Sequence, residues 1–168
     1  YASGKLASNF RQNVKISTPT STIGVRGTDF TMTVDELGGS TIILLPSCDA
    51  SGMCYTGEIT VEAWVQPAKL NQSGPARIVT ISRNSSNRNF TLGQDGNKFE
   101  VRLRTTKTNN NGQPSLGSLN KSLDLRLTHI VYVRSKGGVA KIFINGKLSS
   151  KKQVDGELAN WVTSDRLA

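Results

Sequence analysis

Apolar and polar side chains alternate along much of this chain, and alternation at period two predicts β-strands with one buried face. The clearest example is residues 99–104, FEVRLR, in which the three apolar side chains would face a core. Glu100, Arg102 and Arg104 would then lie on the opposite side of the strand. Residues 59–65, ITVEAWV, repeat the pattern and place Trp64 away from the aliphatic positions.

Two further apolar runs predict a β-hairpin within residues 128–148. The runs 130–133 (IVYV) and 140–144 (AKIFI) flank the dipeptide Gly137-Gly138, and Asn145-Gly146 follows the second run. Gly-Gly and Asn-Gly tolerate the positive φ angles that tight hairpin turns require. We therefore expect a hairpin and then a second turn, which begins another strand at Lys147.

Shorter runs extend the all-β prediction over the rest of the chain. Asp95-Gly96 is a favoured hairpin dipeptide, and residues 108–118, TNNNGQPSLGS, predict a long polar loop of the kind that often carries function. Residues 1–60 read as a β-meander without a helix. Further strands are expected at residues 13–17, 23–34, 41–45, 76–82 and 90–93.

The composition predicts a modest core and no membrane-spanning segment. Apolar residues make up 36% of the 168 residues and aromatic residues 6%. The longest apolar run, residues 41–46, is strand-sized, well short of the roughly 20 residues that a transmembrane helix needs. No signal peptide is visible, and the chain begins at Tyr1 rather than Met, so we expect a processed product or a piece of a longer protein.

The charge is concentrated in the second part of the chain. Residues 1–60 carry four basic and five acidic side chains, so the overall charge of +9 places +10 on residues 61–168. This excess favours an anionic partner, namely an acidic glycan, an anionic surface or nucleic acid, and a merely solvating surface is the alternative.

Cys48 and Cys54 are separated by five residues, a spacing that does not match a zinc site. The only histidine, His129, lies far along the chain. We expect a local disulfide between the two cysteines, which would indicate an oxidising compartment. Two free, partly buried thiols are the alternative.

A motif of the form T-P-x-(S/G)-x-x-x-V-R-G-T-x-F occurs near the start of the chain. Residues 10–62, which contain it, resemble the FecR-like domain of periplasmic regulators that relay iron–siderophore transport to sigma factors. We interpret Arg26 as a structural residue, because a guanidinium group commonly fixes its neighbours by paired hydrogen bonds. The matching residues are Thr18, Pro19, Val25, Arg26, Gly27, Thr28 and Phe30.

A second set of segments covers the remainder of the chain, and through them residues 59–168 resemble the concanavalin A-like, laminin-G-type jelly-roll domain. The resemblance implies an antiparallel β-sandwich that commonly binds carbohydrate or protein ligands. It predicts a FecR-like domain at residues 1–60 and a sandwich at residues 61–168. The segments are ITVEAWVQP (59–67), ARIVTISRN (76–84), NFTLGQDGNKFEVRLRT (89–105), LTHIVYVRSKGGVAKIFINGKL (127–148) and WVTSDRLA (161–168).

The resembling segments do not account for a whole sandwich. Its usual first strands are replaced by the FecR-like part, and strands that usually follow the last segment are missing from this sequence. An incomplete sandwich would have open edges. We expect either the strands of residues 1–60 or a neighbouring chain to complete it, and the second option would suit a fibre, a filament or a particle.

No catalytic pattern stands out, so we predict that the chain is not an enzyme. Retaining glycosidases need two neighbouring carboxylates, whereas the strand at residues 99–104 carries Glu100 alone. His129 has no G-x-S-x-G nucleophile motif to accompany it and is expected to be a hydrogen-bonded structural residue.

Ligand binding is the better interpretation of the basic and amide-rich residues. Guanidinium and amide groups hydrogen-bond sugar hydroxyls, and arginine pairs with sulfate or carboxylate in a fork. Trp161 could stack on a sugar, although a mostly buried indole is the alternative. The candidates, with Lys98 beside them, are Arg102, Arg104, Lys107, Asn109, Asn110, Asn111 and Trp161.

No cofactor is predicted, apart from calcium as an option. Calcium sites in related domains use aspartate and carbonyl oxygens. Asp95 with Asn97, or Asp155, could contribute such ligands, although Asp95-Gly96-Asn97 is first of all a turn.

The sequence as a whole predicts a non-catalytic adhesion, glycan-binding or structural module. Its expected partners are acidic or neutral glycans, other proteins or further copies of itself, and its expected location is secreted, periplasmic, or on a cell or virion surface. A FecR-type signalling module is the alternative. Nucleic acid is not an expected partner, because no stacking-aromatic platform or recognition motif is present.

Overall fold

The computed structural model describes residues 57–162 and 164–167, together with four strands from the earlier part of the chain. These residues form β-strands connected by turns and loops, without an α-helix. No described segment is a helix long and apolar enough to cross a membrane. The strands are β1 (Val14–Ser17), β2 (Thr22–Val25), β3 (Phe30–Val34), β4 (Ser40–Leu44), β5 (Ile59–Val65), β6 (Gln72–Ser82), β7 (Arg88–Gly96), β8 (Lys98–Leu103), β9 (Leu116–Gly117), β10 (Thr128–Arg134), β11 (Val139–Ile144), β12 (Lys147–Gln153) and β13 (Arg166–Leu167).

Two antiparallel sheets contain most of the strands. One sheet has the order β12-β11-β10-β5-β4-β3, and the other has the order β13-β6-β7-β8-β9. A separate pair, β1 and β2, forms a two-stranded ladder. The prediction of an all-β chain with antiparallel sheets is confirmed.

The core is formed by apolar side chains at alternate positions of strands in both large sheets. On β5 the buried positions are Ile59, Val61 and Ala63, and Trp64 points away from them with 40% of its surface exposed. Phe90 of β7 and Tyr132 of β10 pack with ring centroids 5.7 Å apart. Burying such apolar surface is the main favourable term in folding.

The predicted turns have the expected backbone geometry. Asn145 and Gly146 have φ angles of 49° and 77°, as a two-residue turn between β11 and β12 requires. Gly138, in the turn between β10 and β11, has φ of 82°, and the amide of Ser135 donates to the carbonyl of Val139 at 3.0 Å. The hairpin predicted at residues 128–148 is confirmed.

Arg134 ties the end of β10 to two neighbouring segments. Its guanidinium donates hydrogen bonds to the carbonyls of Val154, Gly156 and Gly57. The residue is only 2% exposed, and burial lowers the pKa of its guanidinium. Arg134 therefore serves the fold and is not available to a ligand.

Three local predictions differ from the structure. The single strand predicted at residues 23–34 is two strands, β2 and β3, which belong to different sheets. The loop predicted at residues 108–118 contains β9, which pairs with Glu100 and Val101. Glu100, expected on an open face of its strand, is only 4% exposed, because it packs among the side chains of Arg102, Asp95 and Ser115.

One sheet contains strands from both sides of the predicted domain limit at residue 60. β4 pairs with β5 from Thr41↔Ala63 to Leu44↔Thr60, and β3 pairs with β4 in turn. The same chain thus supplies the strand beside β5. The division into domains at residues 1–60 and 61–168 stays a prediction, and Cys48 and Cys54 lie outside the described residues.

Candidate functional site

A cluster of polar and charged side chains covers the second face of the five-stranded sheet. It arises because β7 and β8 place non-apolar residues at the alternate positions that do not enter the core. In register, Thr91 lies opposite Arg102, and Gly93 lies opposite Glu100 and Arg77. We call this cluster the polar face, and its members are Arg77, Thr80, Arg88, Thr91, Asp95, Glu100 and Arg102.

Hydrogen bonds connect the centre of the polar face. Thr80 Oγ1 lies 2.6 Å from Thr91 Oγ1, and Arg88 Nη1 donates to Thr91 Oγ1 at 3.2 Å. Both threonines are fully buried, and Arg88 is 2% exposed. These contacts leave Arg88 Nε buried and without a hydrogen-bond partner among the described residues.

Positively charged side chains outnumber negatively charged ones on the polar face. Burial lowers the pKa of the Arg88 guanidinium, and the neighbouring cations Arg102 and Arg77 lower it further. Arg102 Nε donates to Glu100 Oε1 at 2.7 Å, and 13% of the Arg102 side chain is exposed. Within the described part of the chain, the terminal nitrogens Nη1 and Nη2 of Arg102 have no partner.

Asp95 and Glu100 form a hydrogen-bonded pair of carboxyl groups. The hydrogen bond to Glu100 raises the pKa of Asp95 above its usual range. Burial tends to raise the pKa of Glu100, but hydrogen bonds with Arg102, Asp95 and Ser115 outweigh it and hold that pKa below its usual value. The two carboxyl groups thus share a proton more readily than two isolated acids would.

Arg88 was not predicted as a site residue, and Asp95 was predicted only as a calcium ligand, but one signal could have placed Asp95 on the polar face. The hairpin turn that pairs Asp95 with Lys98 puts Glu100 diagonally across from Asp95 on the same face. Arg88 offered no comparable signal, because it precedes the alternating part of its strand.

The polar face contains one of the predicted binding residues and adjoins three others. Arg102 lies at its centre. The loop after β8 brings the carbonyl of Asn110 to the amide of Arg88 at 3.0 Å, and Asn109 Oδ1 accepts hydrogen bonds from the amides of Asn111 and Gln113. The asparagines therefore form a structured turn beside the polar face.

The other predicted binding residues lie around the end of β8. The indole N–H of Trp161 donates to the carbonyl of Arg104 at 2.8 Å, and the Trp161 ring packs partly buried against the core. Arg104 Nε is buried without a partner among the described residues. Lys107 is exposed, and its amide donates to Thr105 Oγ1 at 3.1 Å.

The three calcium candidates make separate contacts. Asn97 Oδ1 accepts the amide of Lys121 at 3.3 Å, and Asp155 Oδ1 accepts the Gln153 side chain at 2.8 Å. Asp95 contacts Glu100 instead. Among the described residues there is no group of three or more acidic, histidine or cysteine side chains that could hold a metal ion, and the calcium option stays a prediction.

A shallow cleft opens near the turn between β7 and β8. Its walls combine two leucines with amide groups and one lysine, so it offers little charge compared with the polar face. The lining residues are Leu70, Asn71, Gly96, Asn97, Lys121 and Leu123.

Comparison with solved structures finds chains of similar fold and low sequence identity. A mutant of HCR D/C VPI 5995 matches 92% of this chain with a TM-score of 0.50 and 16% identity. A structure of botulinum neurotoxin type C, concerned with its interaction with two ganglioside molecules, matches 88% with a TM-score of 0.49 and 16% identity. The binding domain of botulinum neurotoxin DC in complex with rat synaptotagmin II matches 92% with a TM-score of 0.47 and 14% identity.

This chain spans less than half of each of those structures, namely 43%, 40% and 42% of their lengths. A search of curated proteins gave no match. The FecR-like resemblance of residues 10–62 finds no support among the matches and stays a prediction.

A laminin-G-type family model, described as the concanavalin A-like lectin/glucanases superfamily, matches residues 37–168. The match begins before β4 and continues to the last residue, so it includes every strand of the sandwich except β3. The chain therefore belongs to the concanavalin A-like lectin/glucanases superfamily.

Proposed function

We propose that this chain is a non-catalytic module that binds acidic glycans on the polar face of its five-stranded sheet. Membership of a superfamily that includes lectins supports a carbohydrate ligand, although fold alone does not identify one. The polar face supplies the chemical argument for an acidic sugar.

The observation that carries the proposal is the convergence of three guanidinium groups. Burial lowers the pKa of the Arg88 guanidinium, and the nearby charges of Arg102 and Arg77 lower it further. Arg88 is too buried to contact a ligand and contributes only positive charge, whereas Arg77 is exposed and 13% of the Arg102 side chain is exposed. Glu100 and Asp95 offset two of the three positive charges, so one remains in excess. The net positive potential fits a carboxylate or sulfate group on a sugar, and so do the terminal nitrogens of Arg102, which have no partner among the described residues.

The geometry of the two carboxyl groups supports binding rather than hydrolysis. Glycosidases hold their two carboxyl groups about 5–9.5 Å apart, so that a sugar or a water fits between them. Asp95 and Glu100 instead contact each other directly through a hydrogen bond. The pair shapes the charge of the polar face and leaves no gap for a glycosidic bond.

An acidic-glycan module would act in adhesion, on a secreted protein or on a surface. The excess of +10 on residues 61–168 favours attraction to anionic surfaces over long distances. Salt would weaken this attraction, because mobile ions screen exposed charges beyond about 10 Å at 0.1 M ionic strength.

Calorimetric titration with a heparin tetrasaccharide tests the proposal. We expect saturable binding at low salt, and we expect Arg102→Gln to weaken it by about tenfold, the effect of losing one charge-assisted hydrogen bond. Arg126→Gln is the matched control, because it removes the same charge from a side chain that is 87% exposed and paired with Asp124.

An equal loss of affinity in the two variants would show that only net charge matters and would contradict a site on the polar face. Equal affinity for the tetrasaccharide and for a single-stranded oligonucleotide of the same charge would contradict glycan recognition. Absence of binding at low salt would overturn the proposal as a whole.

A further inference from the structure

An aromatic pair lies on the outer face of the other, six-stranded sheet. Trp64 of β5 and His129 of β10 are direct cross-strand neighbours, and their rings stack with centroids 4.6 Å apart and planes at 21°. His129 Nε2 lies 2.7 Å from Glu62 Oε1. We call these three residues the indole platform.

The backbone holds the indole platform in place. The amide of His129 donates to Asn145 Oδ1 at 2.9 Å, and the amide of Asn145 donates to the carbonyl of His129 at 2.8 Å. Asn145 belongs to the tight turn between β11 and β12, so the backbone of His129 is fixed from two sides. The stack with Trp64 and the contact with Glu62 orient its ring. A preorganised side chain loses little conformational freedom when a ligand binds.

All three side chains are accessible. Trp64 is 40% exposed, and the side chains of Glu62 and His129 are 41% and 22% exposed. The core contacts of β5 are made by Ile59, Val61 and Ala63 instead. A tryptophan side chain that stacks on a neighbouring ring and is still exposed to solvent is unusual, because tryptophan is generally well buried.

We propose that the indole platform is a second binding site, and that its ligand is a neutral pyranose sugar. One face of a pyranose ring is lined with C–H groups that can pack on an indole, while its hydroxyls need donors and acceptors at the rim. Trp64 supplies the apolar surface, and Glu62 and His129 supply a carboxylate acceptor and a ring nitrogen beside it. An apolar wall with a few placed polar groups is the usual composition of a small-ligand site.

The charge of the indole platform separates it from the polar face. The only acidic group of the platform, Glu62, would repel a carboxylate or sulfate, whereas the polar face attracts one. Binding at the platform should therefore tolerate salt, and this difference allows the two sites to be tested independently.

Titration with methyl glycosides of glucose, galactose and mannose in about 1 M NaCl, where exposed charges are screened beyond about 3 Å, tests the inference. The background is Trp161→Phe, so that Trp64 is the remaining tryptophan, and the readouts are its fluorescence and saturation-transfer NMR of the sugar. We expect saturable binding with a millimolar dissociation constant, as the small size of a monosaccharide allows.

Trp64→Ala should abolish the saturation transfer, and Glu62→Gln should weaken binding by about fivefold, the effect of changing one hydrogen-bonding group. Leu148→Ala, a change at another exposed apolar residue, is the matched control and should bind as the background does. Far-ultraviolet circular dichroism establishes whether each variant is folded. If Trp64→Ala does not fold, Glu62→Gln still tests the inference.

The absence of a saturable signal with all three glycosides would overturn the inference. Unchanged binding in both single variants, Glu62→Gln and Trp64→Ala, would overturn it as well. The heparin titration uses a different probe, different salt and different variants. Failure of the indole platform is thus distinguishable from failure of the polar face.

Discussion

Tyr132 carries a buried hydroxyl group that has no hydrogen-bond partner among the described residues. The residue is 1% exposed, and burial raises the pKa of its phenol above the usual range. An unpaired polar group in the core costs free energy, since it has left water without replacing its hydrogen bonds.

Tyr132→Phe should therefore increase the free energy of unfolding by about 1 kcal/mol. The aromatic contact with Phe90 would remain, because it needs the ring and not the hydroxyl. Urea unfolding checks the prediction, with Phe90→Leu as a control that should decrease stability by about 1 kcal/mol. A loss of stability in Tyr132→Phe would show that the hydroxyl has a partner.

The carboxyl pair of the polar face predicts a dependence of stability on pH. The folded-state pKa of Asp95 is raised. The resulting contribution to the free energy of unfolding is complete below the unfolded-state pKa of about 3.9 and is lost as the pH rises through the folded-state pKa. Asn at this position would keep a donor for Glu100 at every pH.

Asp95→Asn should consequently be more stable than the parent at pH 7, by less than about 1 kcal/mol because solvent screens this half-buried pair. The difference should disappear below about pH 3.9, where the aspartate is protonated in both states. Thermal unfolding from pH 3 to pH 8 measures it, and a difference that is independent of pH would contradict the proton-sharing pair.

At the scale of single elements, the turn between β10 and β11 depends on one of its two glycines. A Cβ atom on Gly138, at φ of 82°, would lie 2.8 Å from the carbonyl oxygen of Val154, whereas a Cβ on Gly137 would meet no atom within 4 Å. Positive φ is costly for any residue with a side chain, and the contact adds to that cost.

We expect Gly138→Ala to lower the free energy of unfolding by about 2 kcal/mol and Gly137→Ala to change it by less than about 0.5 kcal/mol. Chemical denaturation of the two variants side by side makes the comparison, and the neighbouring glycine serves as the control. Similar losses in the two would mean that the turn accepts either residue equally.

Elements of this kind were largely predictable from the sequence, because their signals are local. The alternation in residues 99–104 and the dipeptide Asn145-Gly146 predicted a strand and a turn that the structure contains. The indole platform was not predictable in the same way: Glu62 and His129 are 67 positions apart, and nothing local sets the register between β5 and β10.

For the whole molecule, the position of β5 between β4 and β10 makes the earlier strands part of the same sheet. β10 pairs with β5 over seven residues and β4 pairs with it over four. Without β4, the backbone groups on one side of β5 would have no partner, and an unprotected strand edge invites association with other chains.

A fragment of residues 57–168 should therefore unfold at least about 3 °C below the full chain, as a loss of about 1 kcal/mol would cause. It should also associate, whereas the full chain needs no neighbouring copy to complete this side of β5. Light scattering and differential scanning calorimetry measure the two effects. A stable, monomeric fragment would instead support the predicted division at residue 60.

The order of strands in this sheet also determines when it can form during protein synthesis. On the ribosome, β4 and β5 emerge close together and can pair at once, but the second partner of β5 emerges only with residues 128–134. The other sheet, apart from β13, is translated in that interval, and its strands β6 to β9 pair with their neighbours in sequence. The nascent chain thus holds a half-paired β5 until residues 128–134 have been made, and an unpaired strand edge exposed for that long invites aggregation or binding by a chaperone.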